Sequence, residues 1–211
     1  MWLEKTHGPE PAGHSHAPGR DAAYSRSMSD LQCPATILVA GHGEANHQEH
    51  GDRSAGDGLL SDLGRAQVGE LVVAIRSRQI AAVYTSRVGP AIESGQRVAS
   101  ALGMRSVAVD GLAELAVGDL DGDGHGVVSR FRDAIEAIAD VHRGETVLVF
   151  THGAVMALVV PRVSANMRNV LAAQRLPPSC VPVEIEVDAD GWRLMSWPRA
   201  VTEGAIRSEQ A

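Results

Sequence analysis

The stretch 36–44, Thr-Ile-Leu-Val-Ala-Gly-His-Gly-Glu, decides the fold. Four apolar residues, mostly branched, run into a histidine that has a glycine on either side. This pattern is typical of a short buried strand that ends at a polar loop. The same pattern returns at residues 146–153, Thr-Val-Leu-Val-Phe-Thr-His-Gly. Because ligands bind beyond the carboxyl ends of strands in α/β sheets, we expect His42 and His152 to face one pocket.

Strand-like and helical patterns alternate along the rest of the chain. The predicted strands are 80–84, 106–109 and 146–150, and a terminal hairpin joins 181–187 to 192–197 through an Asp-Gly turn. The predicted helices start at Ser61 or Asp62, after Arg87, at Val127 and after His152. The buried stripe of the first helix is predicted to be Leu63, Ala66, Leu71, Val72 and Ile75. This alternation predicts an α/β fold, a three-layer αβα sandwich with a largely parallel central sheet.

Composition limits the class of protein. The chain has 211 residues, of which 44% are apolar, so one well-packed domain is expected. The formal charge of −7 argues against a nucleic-acid partner. The longest apolar stretch, 154–160, is too short to span a bilayer, and no secretory signal is visible. Cys33 and Cys180 are isolated thiols, so we expect a cytoplasmic protein with reduced cysteines.

Three segments are expected along the chain. Residues 1–30 are rich in Gly, Pro and His and show no periodicity, so a disordered tail is predicted there. Residues 31–200 form the predicted domain, and residues 201–211 a flexible tail. The histidines of the first segment, His7, His14 and His16, lack the preorganisation that a metal site needs.

Five stretches, in order, resemble the histidine phosphatase superfamily, the phosphoglycerate mutase-like proteins. The first is the strand with His42, and the second is similar to the family's "L-T-x-x-G-x-x-Q" helix start. The third is similar to its "S-x-x-x-R-A" segment and the fourth to its "L-x-E" and "G-x-x-x-G" run, while the fifth carries the second histidine. In this order, the five stretches are residues 37–44, 60–67, 83–91, 112–122 and 150–153.

The resemblance implies a role for each matching residue. His42 would attack a phosphoryl group and become phosphohistidine, which splits one hard displacement into two easier ones. Glu114 would protonate the leaving oxygen and then activate water. His152 would hydrogen-bond the phosphoryl oxygens. The other predicted substrate-binding residues are Gly43, Ser86, Arg87 and Gly153. No metal and no cofactor are implied.

This chain departs from the family pattern at two arginines and at one segment. The arginine before the first histidine is Gly41 here, and the arginine of the third stretch is Pro90. Neither residue can imitate a guanidinium that binds phosphate through two hydrogen bonds. Arg87 is a candidate to fill one gap. The segment that covers the pocket after Gly122 is mostly missing, so an open, wet pocket is expected.

Two metal-binding patterns are rejected on their spacing. Residues 119–124, Asp-Leu-Asp-Gly-Asp-Gly, copy half of a calcium loop, but Arg130 stands where the bidentate glutamate belongs. A turn between two elements explains them better. A second group of residues has side chains that bind zinc but lacks the spacing of a zinc site, so zinc is not predicted there. This group is His42, Glu44, His47 and His50.

The sequence therefore predicts a weak phosphomonoester hydrolase that acts through phosphohistidine on a small phosphorylated metabolite. Its partners would be that substrate or inorganic phosphate, with no nucleic acid and no membrane. The main alternative is a catalytically impaired pseudophosphatase that binds a ligand or regulates. A pocket for a ligand without phosphate is a third possibility, which no residue positively favours. The pattern fixes neither the substrate nor the oligomeric state.

Overall fold

The computed structural model describes residues 33–46, 59–116, 124–167 and 176–198. Six strands and four helices alternate as the sequence predicts. The strands are β1 (Ala35–Gly41), β2 (Ile80–Thr85), β3 (Ser106–Ala108), β4 (Thr146–Thr151), β5 (Val183–Asp188) and β6 (Gly191–Ser196). The helices are α1 (Asp62–Ile75), α2 (Gly89–Ala101), α3 (His125–Val141) and α4 (Gly153–Val163).

The strands form one sheet in the order β3-β2-β4-β1-β5-β6. The first four of these are mutually parallel, whereas β5 runs antiparallel to β1 and β6 antiparallel to β5. The prediction of a largely parallel sheet with a terminal hairpin is therefore confirmed. The two histidine-bearing strands, β1 and β4, are neighbours at its centre.

Helices cover both faces of the sheet, which gives three layers. Successive side chains of a strand point to opposite faces. Ile37 and Val39 pack in the core that contains buried residues of α3 and α4. Leu38 and Ala40 pack in the core that contains buried residues of α1 and α2. The continuous apolar run of β1 is thus explained, because a strand covered on both faces has no solvent side.

The first helix starts at a side-chain cap, but its buried stripe differs from the predicted one. The Ser61 hydroxyl accepts a hydrogen bond from the Gly64 amide at 3.0 Å, so Ser61 is the N-cap. The prediction for Leu63 and Ala66 is wrong, because both are exposed. Leu63 keeps 54% of its surface exposed. The buried residues are Gly64, Val68, Leu71 and Ile75, and Val72 is half-buried.

Other boundaries also differ modestly from the predicted ones. The predicted loop 110–126 contains a 3-10 turn over Asp110–Leu112, and α3 begins at His125 instead of Val127. Gly124, just before α3, has φ of 72°, a left-handed conformation that favours glycine. No helix in the described ranges is both long enough and apolar enough to cross a membrane. The predicted tails, 1–30 and 201–211, lie outside the described residues.

A glycine in α1 allows the helix to approach the loop that follows β1. A Cβ on Gly64 would lie 2.1 Å from the carbonyl oxygen and 2.8 Å from the amide nitrogen of Glu44. Both are backbone atoms, so the loop that carries His42 or the whole helix would have to move. Gly69 of the same helix is exposed, and a Cβ there would meet nothing within 4 Å.

Gly64→Ala is therefore expected to destabilise the protein by about 1–3 kcal/mol, the usual cost of overpacking. Gly69→Ala is the matched control, and it is expected to stabilise the protein by about 0.5–1 kcal/mol through helix propensity alone. Urea unfolding of both variants measures the two free energies. Equal effects at the two positions would mean that the contact between α1 and Glu44 is not tight.

Candidate active site

The pairing of β1 with β4 brings the two histidines together. Gly41 and Thr151 are partners in the parallel register, so the next residues, His42 and His152, leave the sheet side by side. Their ring centroids are 5.2 Å apart, with the rings nearly perpendicular at 71°. The structure thus places both predicted histidines at one carboxyl edge of the sheet, as expected for residues that share a pocket.

The His42 ring is held by the backbone that follows it. Its Nδ1 lies 2.7 Å from the carbonyl oxygen of Gly43, which accepts the Nδ1 proton. The remaining nitrogen, Nε2, then carries the lone pair. The amide of Gly43 donates to the hydroxyl of Ser94 at 3.0 Å. Gly43 therefore orients the histidine through its carbonyl, while its amide is already engaged inside the protein.

His152 is buried between two polar partners. Only 1% of the residue is exposed, its Nε2 lies 3.0 Å from the hydroxyl of Ser86, and its Nδ1 lies 2.8 Å from Oε2 of Glu114. Burial, the neighbouring His42 and the charge of Arg130 lower the pKa of His152 to about 4. The nearby carboxylate favours the charged ring, but burial outweighs it, so His152 is neutral at neutral pH.

Glu114 reaches the histidines from a loop that is fixed by hydrogen bonds. The hydroxyl of Thr151 donates to the carbonyl of Leu112 at 2.9 Å. The guanidinium of Arg130, on α3, donates to the carbonyls of Gly111 and Ala113 at 3.1 and 2.8 Å. It also donates to the carbonyl of Glu114 at 2.8 Å. The Glu114 side chain itself is 46% exposed.

The other two predicted substrate-binding residues also lie near the histidines. Arg87 directly follows Ser86, is 61% exposed and forms an ion pair with Asp110. Gly153 is the first residue of α4, and His152 is the N-cap of that helix. The first amides of a helix have no partner within it, so they can bind an anion. The substrate-binding roles of Arg87 and Gly153, like those of Gly43 and Ser86, stay predictions.

The two positions that lack arginine also lie at this edge. Gly41 ends β1, and a Cβ there would stand 3.6 Å from the amide nitrogen of Gly153, in ordinary van der Waals contact. Pro90 is in the first turn of α2, where proline is tolerated. The open pocket expected from the short segment after Gly122 stays a prediction, because residues 117–123 lie outside the described ranges.

Sequence reasoning missed the residues that support the site. Arg130 holds the Glu114 loop, and Ser94 holds the amide of Gly43. Neither has a local pattern that marks it, because each acts on a backbone atom of a distant segment. A cavity of about 620 Å³ also exists, lined in part by His125, Arg132 and Trp192, but none of the three predicted catalytic residues lines it.

Fold and site together define an α/β protein with two histidines and a carboxylate at the carboxyl edge of a largely parallel sheet. The model of the histidine phosphatase superfamily (branch 1) matches residues 37–126 and 123–199. The chain belongs to this superfamily.

Similar proteins agree with this assignment. Phosphoglycerate mutase-like protein 4 of Arabidopsis thaliana is 26% identical, and the match covers 77% of this chain and 84% of that protein. The structure of YhfR from Bacillus stearothermophilus is similar with a TM-score of 0.61 at 24% identity, covering 79% of this chain and 98% of that one.

A mycobacterial glucosyl-3-phosphoglycerate phosphatase in complex with VO3 has a TM-score of 0.58 at 16% identity, covering 78% of this chain and 99% of that one. At such identities the structures show a shared fold. Membership of the histidine phosphatase superfamily, shown by the family model, supports a phosphatase function.

Proposed function

We propose that the protein is a phosphomonoester hydrolase that acts through a phosphohistidine on His42. Its substrate would be a small phosphorylated metabolite, and its turnover would be weak. The observation that carries the proposal is the convergence of His42, His152 and Glu114, since one side-chain nitrogen or oxygen of each lies within 4.8 Å of the other two. A nucleophile, a hydrogen-bond donor and a general acid must share one reacting centre of about this size.

The first step would be an attack on phosphorus by Nε2 of His42. The hydrogen bond from Nδ1 to the Gly43 carbonyl supports this, because it leaves the lone pair on Nε2. A phosphorus–nitrogen bond forms while the bond from phosphorus to the leaving oxygen breaks. Glu114, in its acid form, would give that oxygen its proton.

The second step would return the enzyme to its resting state. Glu114, now a carboxylate, would take a proton from water, and the water oxygen would attack phosphorus and displace Nε2. In both steps His152, neutral because of its lowered pKa, would donate its Nδ1 proton to a phosphoryl oxygen. The amides at the start of α4 would add to the stabilisation of the anion. These steps use protein groups alone, so the reaction would need no metal.

The reason to expect weak turnover lies at positions 41 and 90. Glycine and proline supply no guanidinium at these positions. Arg87, which follows Ser86 in the chain, forms an ion pair with Asp110. The same observation favours the second candidate function, a pseudophosphatase that binds a phosphorylated ligand without turnover. We place hydrolysis first because all three reacting groups are kept.

Hydrolysis of p-nitrophenyl phosphate in the presence of EDTA tests the proposal directly. We expect phosphate release above the uncatalysed rate, and we expect it to persist in the chelator. Saturable binding of vanadate without any turnover would instead favour the pseudophosphatase. A protein that showed no turnover and no binding of vanadate would contradict both candidates.

Replacing Glu114 with glutamine tests the proposed general acid. A poor leaving group needs a proton in the transition state, whereas p-nitrophenolate does not. Glu114→Gln is therefore expected to lower kcat/KM, which reports the first step alone, by about 10²–10⁴ for an alkyl phosphate and much less for p-nitrophenyl phosphate. Equal losses on the two substrates would show that Glu114 does not transfer a proton to the leaving oxygen.

A further inference from the structure

The three groups at the carboxyl edge also match the ligand set of a metal ion. One nitrogen of His42, one nitrogen of His152 and one oxygen of Glu114 lie within 4.8 Å of one another. Two imidazoles and one carboxylate are a set that binds Zn²⁺ in proteins and leaves a position open. We propose that these three residues bind a Zn²⁺ ion and that the bound ion blocks phosphoryl transfer. Only the second half of this proposal rests on the proposed function.

Both histidines are held in the way that metal-binding histidines are held. A histidine that ligates a metal through one nitrogen usually donates from the other to a fixed acceptor. Nδ1 of His42 donates to the Gly43 carbonyl at 2.7 Å, which leaves Nε2 for a metal. Nε2 of His152 lies 3.0 Å from the Ser86 hydroxyl, which leaves Nδ1. The two available nitrogens therefore belong to rings whose orientation is already set.

The Nδ1 atom of His152 is buried and has no aligned hydrogen-bond partner. Oε2 of Glu114 is 2.8 Å away, but it lies off the hydrogen-bonding direction of the ring nitrogen. A buried polar atom without a partner is costly, and a ligand that engages it removes the cost. With its proton on Nδ1, His152 can donate a hydrogen bond to an anion. With its proton on Nε2, donated to Ser86, it presents a lone pair to a cation.

The distances between the three ligand atoms and the charges of the surrounding residues are compatible with a bound cation. Tetrahedral zinc with bonds of about 2.0–2.1 Å holds its ligand atoms about 3.3 Å apart, so the cluster must contract by roughly 1.5 Å. Glu114 is 46% exposed and has room to rotate. Positions 41 and 90 carry no charge, and the exposed Arg87 forms an ion pair with Asp110. The charge of Arg130 opposes a cation at His152, although three backbone carbonyls share that charge.

Binding of the ion and transfer of a phosphoryl group exclude each other for a simple chemical reason. Zinc would bind through the lone pair on Nε2 of His42, which is the lone pair that the proposed attack on phosphorus uses. Zinc would also take the Glu114 carboxylate, which the proposed mechanism needs as acid and base. The Zn²⁺ ion is therefore an inhibitor of the proposed hydrolase and not its cofactor.

Titration of the metal-free full chain with Zn²⁺ alone tests the site, with Co²⁺ absorption as a second readout of tetrahedral coordination. We expect one saturable site that Glu114→Gln weakens about tenfold or more, and that His42→Ala weakens further. The chain has nine histidines, so a matched control is needed. His142→Ala serves, because His142 is bonded to Tyr84 and Glu145, away from the three ligands.

Each outcome decides the proposal. Loss of Zn²⁺ affinity in Glu114→Gln and His42→Ala, with the affinity kept in His142→Ala, supports the site. Thermal unfolding shows whether each variant folds. The exposed Glu114 is the substitution least able to disturb folding. Affinity unchanged in both ligand variants would mean adventitious binding by other histidines and would overturn the site. Zinc binding without any hydrolysis would keep the site and remove the proposed function, whereas hydrolysis that persists in saturating Zn²⁺ would overturn the exclusion.

Discussion

Replacing His42 with alanine is expected to lower kcat/KM for p-nitrophenyl phosphate by at least about 10³, the scale on which loss of a nucleophile acts. The physical reason is that Nε2 of His42 would form the bond to phosphorus. His152 does not replace it, because in the proposed mechanism its Nδ1 carries the proton and its Nε2 is hydrogen-bonded to the Ser86 hydroxyl. The measurement is steady-state hydrolysis by the wild type and the variant in EDTA.

His142→Ala is the control for this experiment. His142 follows α3 and precedes β4, at the opposite end of that strand from His152, and it hydrogen-bonds Tyr84 and Glu145. We expect its activity to stay within a few-fold of the wild type as long as the variant remains folded. Activity that survives in His42→Ala would contradict the proposed nucleophile, whatever the effect of His142→Ala.

Restoring the two missing arginines is expected to have the second-largest effect, in the opposite direction. Gly41→Arg together with Pro90→Arg should raise kcat/KM by about 10² or more, the usual scale for a preorganised charge at the transition state. A Cβ at position 41 meets the amide of Gly153 at an ordinary 3.6 Å, so the new side chain starts beside α4 without a clash. Position 90 is in the first turn of α2, where proline is not required.

Glutamines at the same two positions provide the matched control. They have long polar side chains without the charge, so they separate a charge effect from a filling of space. Each single arginine should give part of the gain. If the double arginine variant is no more active than the double glutamine variant, the missing guanidinium groups do not limit this protein, and the ligand-binding alternative gains support.

The fold was predictable because its signals are local. The apolar runs of β1 and β4 each lie within one segment, and the alternation of strands and helices implies the layers. The error at Leu63 has a physical reason. The first turn of α1 packs through Gly64 against the Glu44 loop, so the side chain before it points to solvent instead of to the sheet.

The site was only partly predictable. His42 and His152 share a pattern and follow neighbouring strands, so their proximity could be inferred from the residues. Glu114 lies on a loop, and only a resemblance to a family singled it out. Arg130 and Ser94 hold backbone atoms of distant segments, so no local pattern could reveal them. The proposed zinc ligands come from three separate segments, which a search along one stretch of sequence does not find.

Trapping the phosphorylated protein tests the central claim, that phosphoryl transfer passes through His42. The protein would be mixed with p-nitrophenyl phosphate, quenched in alkali, digested, and its peptides examined by mass spectrometry. We expect a phosphoryl group on His42 that is lost in acid, absent in His42→Ala, and accumulated in Glu114→Gln, where water is no longer activated. A wild-type protein that hydrolyses the ester at a measurable rate but never carries phosphate on His42, in any quench or variant, would contradict it.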